Sequence, residues 1–215
     1  MPRKIFLSID VDYFEGDEEV NLEDVADIVL TRVHNVSFVT NHQQMLNFVN
    51  RTDCTALINI DAHSDLVEIY KNQYEMPLLS CGSWASFVKQ KRGMDFWWIY
   101  PPRANSCSWS GEIAGDCSSG IFPRNRSKFS RGRVGYRSCR ATQGFSLSWL
   151  KRICKEVVHV SFCRSPGYAM PYVQQEFLSI ARKRGFKVMR GDLDEDNMCT
   201  RRLPESDRAW LKKCA

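Results

Sequence analysis

The chain has 215 residues, of which 43% are hydrophobic and 26% charged, and its formal net charge is +5. Length and composition predict a single domain with one sizeable core, and they exclude wholesale disorder, collagen and coiled coil. No apolar run approaches the ~20 residues of a membrane span, and the first apolar run is short and broken by aspartates, so we expect a cytoplasmic protein without a membrane partner.

Strand and helix patterns alternate along the chain. Strands are predicted at 5–9, 36–39, 55–60, 96–100, 157–162 and 186–189, and helices at 22–29, 43–49, 83–91, 172–184 and 204–213. Such alternation favours an α/β fold, a three-layer α/β/α arrangement with a mostly parallel sheet covered on both faces. In sheets of this kind ligands bind at the carboxyl ends of the strands.

Charge is distributed unevenly. Residues 117–155 contain ten basic residues and no acidic ones, so the rest of the chain has 20 basic residues against 25 acidic. The middle of this segment, about 102–145, is rich in Ser, Gly, Asn and Arg, and it predicts a basic surface insertion within the single domain 1–215. The insertion is either a solvated loop or a docking surface for an acidic partner, peptide or nucleic acid.

The nine cysteines do not indicate a disulfide framework. Their number is odd, and no Cys-x-x-Cys pair occurs in the chain. We therefore expect reduced thiols, none of them a metal ligand.

Acidic motifs follow two of the predicted strands. Asp10 and Asp12 come directly after the first strand, and Asp61, His63 and Asp65 come directly after the third. Residues two apart in extended chain face the same side, so each set can converge on one point. Carboxylates gathered at one sheet edge repel each other and are costly to desolvate, and a divalent cation removes that cost. Oxygen-rich ligation with imidazole suits Mn²⁺ or Mg²⁺.

These two motifs resemble those of a known enzyme family. Ser-Ile-Asp-Val-Asp at 8–12 is similar to the Ser-x-Asp-x-Asp motif of the ureohydrolases, such as arginase and agmatinase, and Asp-Ala-His-Ser-Asp at 61–65 is similar to their Asp-Ala-His-x-Asp motif. The resemblance implies an arginase–deacetylase-like fold and two Mn²⁺ ions per chain. It implies the ligands Asp10, Asp12, His42, Asp61, His63 and Asp65.

The resemblance also implies a role for each ligand. Asp10 and Asp61 would bridge the two ions, Asp65 would bind one ion, and His63 and Asp12 would bind the other. One more histidine ligand precedes Asp-Ala-His-x-Asp in the family. His42, just after the strand at 36–39, stands at a suitable distance for it.

The order of the motifs points to a particular branch of the family. In arginases the Ser-x-Asp-x-Asp segment follows Asp-Ala-His-x-Asp, whereas here it comes first. This order, with Cys-Gly-Ser-Trp at 81–84 and Arg-Ser-Pro-Gly-Tyr at 164–168, resembles a small permuted branch that includes peptide arginases. Such enzymes convert arginine residues of a precursor peptide to ornithine and release urea, so an arginine-containing peptide is the implied partner.

Two functional groups of arginases have no direct counterpart in the chain. Their proton-shuttling histidine is missing between His63 and His159, so Asp65 is expected to relay the proton and, with Asp61, to act in catalysis. Cys163 occupies the place of the glutamate that holds the guanidinium. His159 lies within an apolar run, which indicates a core histidine.

Other residues must then contact the substrate. The candidates, chosen by their position in the chain, are Glu15, Asp17, Glu68 and Ser83.

Three other functions are compatible with the same sequence. The first is a mononuclear zinc amidohydrolase or deacetylase, and the second is a ureohydrolase of free arginine or agmatine. The third is a non-catalytic nucleic-acid-binding protein that would use the basic residues at 124–140, although we expect no nucleic-acid partner for a hydrolase. The sequence does not define the peptide or the oligomeric state.

Overall fold

A parallel β-sheet forms the middle of the protein in a computed structural model, which describes residues 3–15, 19–66, 81–102 and 139–189 together with Glu205 and Ala209. The strands of the described chain are β1 (Ile5–Asp10), β2 (Val36–Val39), β3 (Ala56–Ile60), β4 (Asp95–Tyr100), β5 (Cys139–Gln143), β6 (Val157–Cys163) and β7 (Val188–Met189). They lie in the order β5-β4-β3-β1-β6-β2-β7, and every pair is parallel. The predicted parallel sheet is confirmed.

Helices connect these strands, and short 3-10 turns follow several of them. The helices are α1 (Leu22–Leu30), α2 (Leu46–Val49), α3 (Trp84–Arg92), α4 (Leu147–Ile153) and α5 (Pro171–Lys183), and the 3-10 turns are Val11–Glu15, His42–Met45 and Cys81–Ser83. Helix α1 begins where Asn21 Oδ1 accepts the backbone N–H of Asp24 at 2.8 Å. Helix α3 ends at Gly93, whose φ of 60° suits a residue without a Cβ.

The helices cover both faces of the sheet. Successive strand residues point to opposite faces, so Leu7 and Ile9 of β1 pack with α1, α4 and α5, while Phe6 packs with α2 and α3. The two hydrophobic cores lie on the two faces, as the predicted three-layer α/β/α class requires.

The strand pattern also positions the polar side chains. Asp10 is four residues beyond Phe6 and therefore shares its face, toward α2 and α3. From β1 the chain passes to β2 on one side of β1 and then to β3 on the other, so the strand order reverses beside β1. Ligand sites of open α/β sheets lie at such a reversal, outside the carboxyl ends of the strands.

Most predicted elements are present within a residue or two of their predicted bounds. Helix α4 and strand β5 were not predicted. Strand β5 overlaps the carboxyl end of the predicted insertion at 102–145, where Cys139–Gln143 pairs with β4. Residues 103–138 of that insertion lie outside the described residues, as does most of the predicted helix at 204–213. In the described part of the chain no helix has the length and apolarity needed to span a membrane.

Candidate metal centre

The six predicted metal ligands lie together at the carboxyl edge of the sheet. The end of strand β1 supplies one of them, the 3-10 turn after β1 one, the turn after β2 one, and the segment after β3 three. They are Asp10, Asp12, His42, Asp61, His63 and Asp65. All are buried except His63, whose side chain is 21% exposed.

Asp61 lies between the two histidines. Its Oδ1 is 3.8 Å from Nδ1 of His63, and its Oδ2 is 3.5 Å from Nε2 of His42. Among the described residues, two groups of potential ligands share it. The groups are Asp12, Asp61 and His63, and His42, Asp61 and Asp65, each with ligand atoms within 4.8 Å of one another. One carboxylate that serves two adjacent groups is suited to bridge two cations.

Each histidine also contacts a second carboxylate. Nδ1 of His63 lies 3.0 Å from Oδ2 of Asp12, and Nδ1 of His42 lies 2.9 Å from Oδ2 of Asp65. Nε2 of His42 lies 3.2 Å from Oδ2 of Asp10. Asp10 therefore adjoins the His42 side of the cluster, and its predicted bridging role stays a prediction.

Tryptophan side chains and backbone amides orient these ligands. The indole N–H of Trp84 donates to Oδ2 of Asp65 at 2.5 Å, and that of Trp98 donates to the Asp61 carbonyl at 2.9 Å. The backbone N–H of His63 donates to Oδ1 of Asp61 at 2.7 Å. Outer partners of this kind fix the orientation of metal ligands in proteins.

Two residues of the site have left-handed backbone. Asp65 has a φ of 55° and Ser165 a φ of 48°. This conformation is disfavoured for side chains with a Cβ, and such strain concentrates at functional sites. The hydroxyl of Ser165 donates to Oδ2 of Asp10 at 2.6 Å, so the strained turn after β6 contacts the cluster directly.

Burial of these charges shifts their ionisation. Burial raises the pKa of Asp10 to about 7, and the neighbouring Asp12 adds to the shift while His42 and Ser165 oppose it. Burial, together with the other carboxylates, raises the pKa of Asp61 well above its usual range. The mutual repulsion of the clustered carboxylates is therefore relieved either by protonation or by a bound cation.

The charge state of His42 is set by opposing effects. Burial alone lowers the pKa of His42, but Cys163, Asp65 and Asp10 more than reverse this and hold it well above the usual value. Nε2 of His42 is buried and makes no hydrogen bond within the described part of the structure. An imidazole nitrogen that faces the carboxylates of Asp10 and Asp61 without a hydrogen bond to either fits the donor set of a divalent cation.

The structure adds Cys163 to the cluster, which the sequence analysis missed. Its sulfur and ligand atoms of Asp10 and His42 lie within 4.8 Å of one another. The expectation that no cysteine is a metal ligand stays a prediction, although Cys163 lies beside two of the predicted ligands. Asp10 and Cys163 are register partners of β1 and β6, and the sequence does not show that these two strands are neighbours.

Two of the predicted substrate-contacting residues are described. Glu15 lies at the end of the turn after β1, and its carboxylate accepts the backbone N–H of Met170, so it binds the chain after β6. Ser83 is buried directly before α3. Glu68 and Asp17 lie outside the described residues.

Three large side chains between the end of β6 and the start of α5 are exposed, and one of them contacts the cluster. The ring of Tyr168 contacts that of His63 edge-on, with 5.2 Å between the centroids. Tyr168, Met170 and Tyr172 are all exposed. Their exposure was not predicted, because it depends on where the segment between β6 and α5 lies.

His159 is a core histidine, as its apolar surroundings predict. Its ring stacks on Phe6 and Phe48, with centroid distances of 5.2 and 5.0 Å, and its Nε2 lies 3.0 Å from the hydroxyl of Ser37.

Comparison of the whole chain with family models, with curated proteins and with solved structures finds no match.

Proposed function

We propose that this protein is a dinuclear, metal-dependent hydrolase that converts arginine residues of a peptide to ornithine with release of urea. The observation that carries the proposal is the position of Asp61, whose two oxygens face His63 on one side and His42 on the other. A bridging carboxylate with one histidine on each side supports a pair of ions and, by the resemblance of the motifs, two Mn²⁺.

The residues present fit such a pair. Asp12 and His63 would hold one ion, His42 and Asp65 the other, and Asp61 both. Divalent ions held there would lower the pKa of a bound water and would stabilise the charge that develops when water attacks an electrophile. The protein contributes fixed ligands, because Trp84 and the backbone amides hold the carboxylates in place before any substrate binds.

The guanidinium substrate is supported by charge and by aromatic contact. A guanidinium is always cationic, so a cluster of carboxylates is its natural complement. His63 is the most exposed of the six predicted ligands, which indicates the side from which a substrate reaches the cluster. Tyr168 contacts His63 on that side, and its exposed ring can stack on a guanidinium plane.

The chemistry requires one proton transfer to the leaving group. Water adds to the guanidinium carbon, the bond from that carbon to Nε breaks, and the ornithine amine takes up the proton that the attacking water has released. Asp65 is predicted to relay this proton. Its Oδ2 contacts Trp84 and His42, which fixes the orientation of the carboxyl group next to the cluster.

A peptide is favoured over free arginine by the exposed side chains of the segment that contacts His63. Tyr168 lies against His63, and Met170 and Tyr172, which follow it in the chain, are exposed as well. Exposed apolar side chains suit contact with the residues that flank an arginine in a peptide, and free arginine has no such flanking residues.

The test compares substrates and a matched pair of variants. The protein is loaded with Mn²⁺ and incubated with blocked peptides that contain one arginine, with the same peptides containing lysine, and with free arginine. We expect urea and an ornithine peptide, identified by mass spectrometry, from the arginine peptides alone. Asp61→Asn should abolish the product, and Asp53→Asn, which alters an exposed carboxylate paired with Lys4, should not.

Each alternative gives a different result. Urea from free arginine alone would contradict the peptide substrate, and no urea from any substrate would contradict arginine hydrolysis. Metal analysis separates the mononuclear zinc alternative, which requires one ion per chain instead of two.

A further inference from the structure

We propose that the thiol of Cys163 is a ligand of the metal ion held by Asp10 and His42, so that this position binds the ion through sulfur as well as nitrogen and oxygen. The inference rests on the metal centre of the proposed function, and it changes the expected metal. Nothing in the motif resemblance assigns a cysteine to this centre.

The first support is the geometry at the end of β6. Cys163 is fully buried, and it is the register partner of Asp10 on the adjacent strand β1. Parallel neighbours at the same strand end place their side chains side by side on one face of the sheet. Accordingly the sulfur, a ring nitrogen of His42 and a carboxylate oxygen of Asp10 all lie within 4.8 Å of one another.

The second support is independent of the cysteine. Nε2 of His42 is buried and has no hydrogen-bond partner in the described residues, although Oδ2 of Asp10 is only 3.2 Å away. A buried polar atom without a partner is costly, and in native proteins it indicates a missing ligand, water or ion. A cation between His42, Asp10 and Cys163 would supply that partner.

The thiol has a weak hydrogen-bond acceptor directly after the neighbouring strand β2. Its S–H donates to the carbonyl of Thr40, with sulfur and oxygen 3.5 Å apart. When a metal binds, the thiol releases its proton to solvent and the sulfur lone pairs turn to the cation. Serine at this position would keep a donor to Thr40 without a soft ligand, so Cys163→Ser separates the structural role from ligation.

Sulfur ligation predicts which ions this position prefers. Thiolates favour Zn²⁺ and other borderline ions, whereas purely carboxylate sites favour Mn²⁺ and Mg²⁺. We therefore expect the position of His42 and Cys163 to prefer Zn²⁺ or Co²⁺ over Mn²⁺. The group of Asp12, Asp61 and His63 contains no sulfur, and we expect it to keep a preference for Mn²⁺ or Mg²⁺.

The test uses Co²⁺ as a spectroscopic probe of the full-length protein. Cobalt bound to any of these ligands shows visible d–d bands, and a bound thiolate adds a sulfur-to-cobalt charge-transfer band in the near ultraviolet. We expect both kinds of band in the wild type. Cys163→Ser should lose the charge-transfer band and keep the d–d bands. Cys154→Ser, which alters another buried cysteine outside the cluster, should keep both.

The outcomes distinguish the inference from the proposed function. If d–d bands appear without a charge-transfer band in the wild type, or if Cys163→Ser retains the charge-transfer band, sulfur ligation is wrong and the metal centre stands. If no cobalt binds to the wild type, the metal centre itself is wrong. Thermal unfolding of each variant checks that it folds, and Cys163→Ala provides a second sulfur-free variant.

Discussion

The hydroxyl of Ser165 lies 2.6 Å from Oδ2 of Asp10, although 155 residues separate them in the chain. The contact joins the turn after β6 to the end of β1. Ser165 reaches Asp10 from left-handed backbone with a φ of 48°. Ser165 thus combines a hydrogen bond to a buried carboxylate with a disfavoured backbone conformation. Substitutions at this position can remove the hydrogen bond with or without relieving the backbone strain.

Ser165→Gly and Ser165→Ala should therefore differ in stability. Both lose the hydrogen bond to Asp10, but glycine also relieves left-handed strain of about 1–2 kcal/mol. We expect Ser165→Ala to lower the free energy of unfolding of the metal-free protein more than Ser165→Gly does, by roughly 1 kcal/mol. Urea unfolding measures both values, and Ser148→Ala, at an exposed serine, is the control. Equal losses in the two variants would show that the turn carries no strain.

Trp84 should affect metal affinity without being a ligand. Its indole N–H donates to Asp65, so Trp84→Phe keeps most of the apolar volume and removes the donor. Loss of an outer partner of this kind weakens metal binding by about 10- to 100-fold. Competition with a chelating dye measures the affinity. The matched control is Trp97→Phe, which removes an exposed indole hydrogen bond to Thr142. The expectation fails if the two variants bind metal equally well.

Asp61 should couple metal binding to stability. A ligand present at 100 times its dissociation constant stabilises the folded state by about 2.7 kcal/mol. Saturating Mn²⁺ should raise the unfolding temperature of the wild type and of Asp53→Asn, and leave that of Asp61→Asn unchanged. Differential scanning fluorimetry with and without Mn²⁺ provides the measurement. A shift in Asp61→Asn equal to that of the wild type would show that the ion binds elsewhere.

The sequence predicts where the site lies in the fold better than it predicts which residues form the site. Asp10 and Asp61 each follow an apolar run, so their place at strand ends can be predicted from hydrophobicity alone. Cys163 also ends a strand, but its approach to Asp10 requires that β6 lies beside β1. Strand order depends on packing between distant segments, which no local pattern contains.

The missed elements have physical reasons of their own. Strand β5 lies at the edge of the sheet formed by the described residues, and with few aliphatic residues it has the composition of the loop predicted around it. Helix α4 carries a local signal in Ser146, whose side chain accepts the N–H of Trp149 and caps the helix. The orientation of the Asp61 oxygens toward two histidines depends on side-chain torsions and hydrogen bonds that form only in the folded protein.

His159 makes stability depend on pH at a distance from the site. Burial lowers its pKa to about 4. His159 is the register partner of Phe6, just as Cys163 is the register partner of Asp10. His159 therefore lies four residues before Cys163 on β6, which places it about 13 Å from the cluster. The unfolded chain binds a proton near pH 6.5, and the folded protein does so only near pH 4. The contribution of His159 is therefore complete above about pH 6.5, and it declines as the pH falls toward 4.

His159→Phe should remove this acid-side decline. Phenylalanine keeps the stacking on Phe6 and Phe48, and Ser37 retains Ser161 as a hydrogen-bond partner. Between pH 6.5 and 4 the wild type should lose up to about 3 kcal/mol that the variant does not lose. Urea unfolding across this range measures the difference, and His34→Gln, at an exposed histidine, should retain the wild-type profile. Parallel profiles of His159→Phe and the wild type would mean that His159 is protonated in the folded protein as readily as in the unfolded chain.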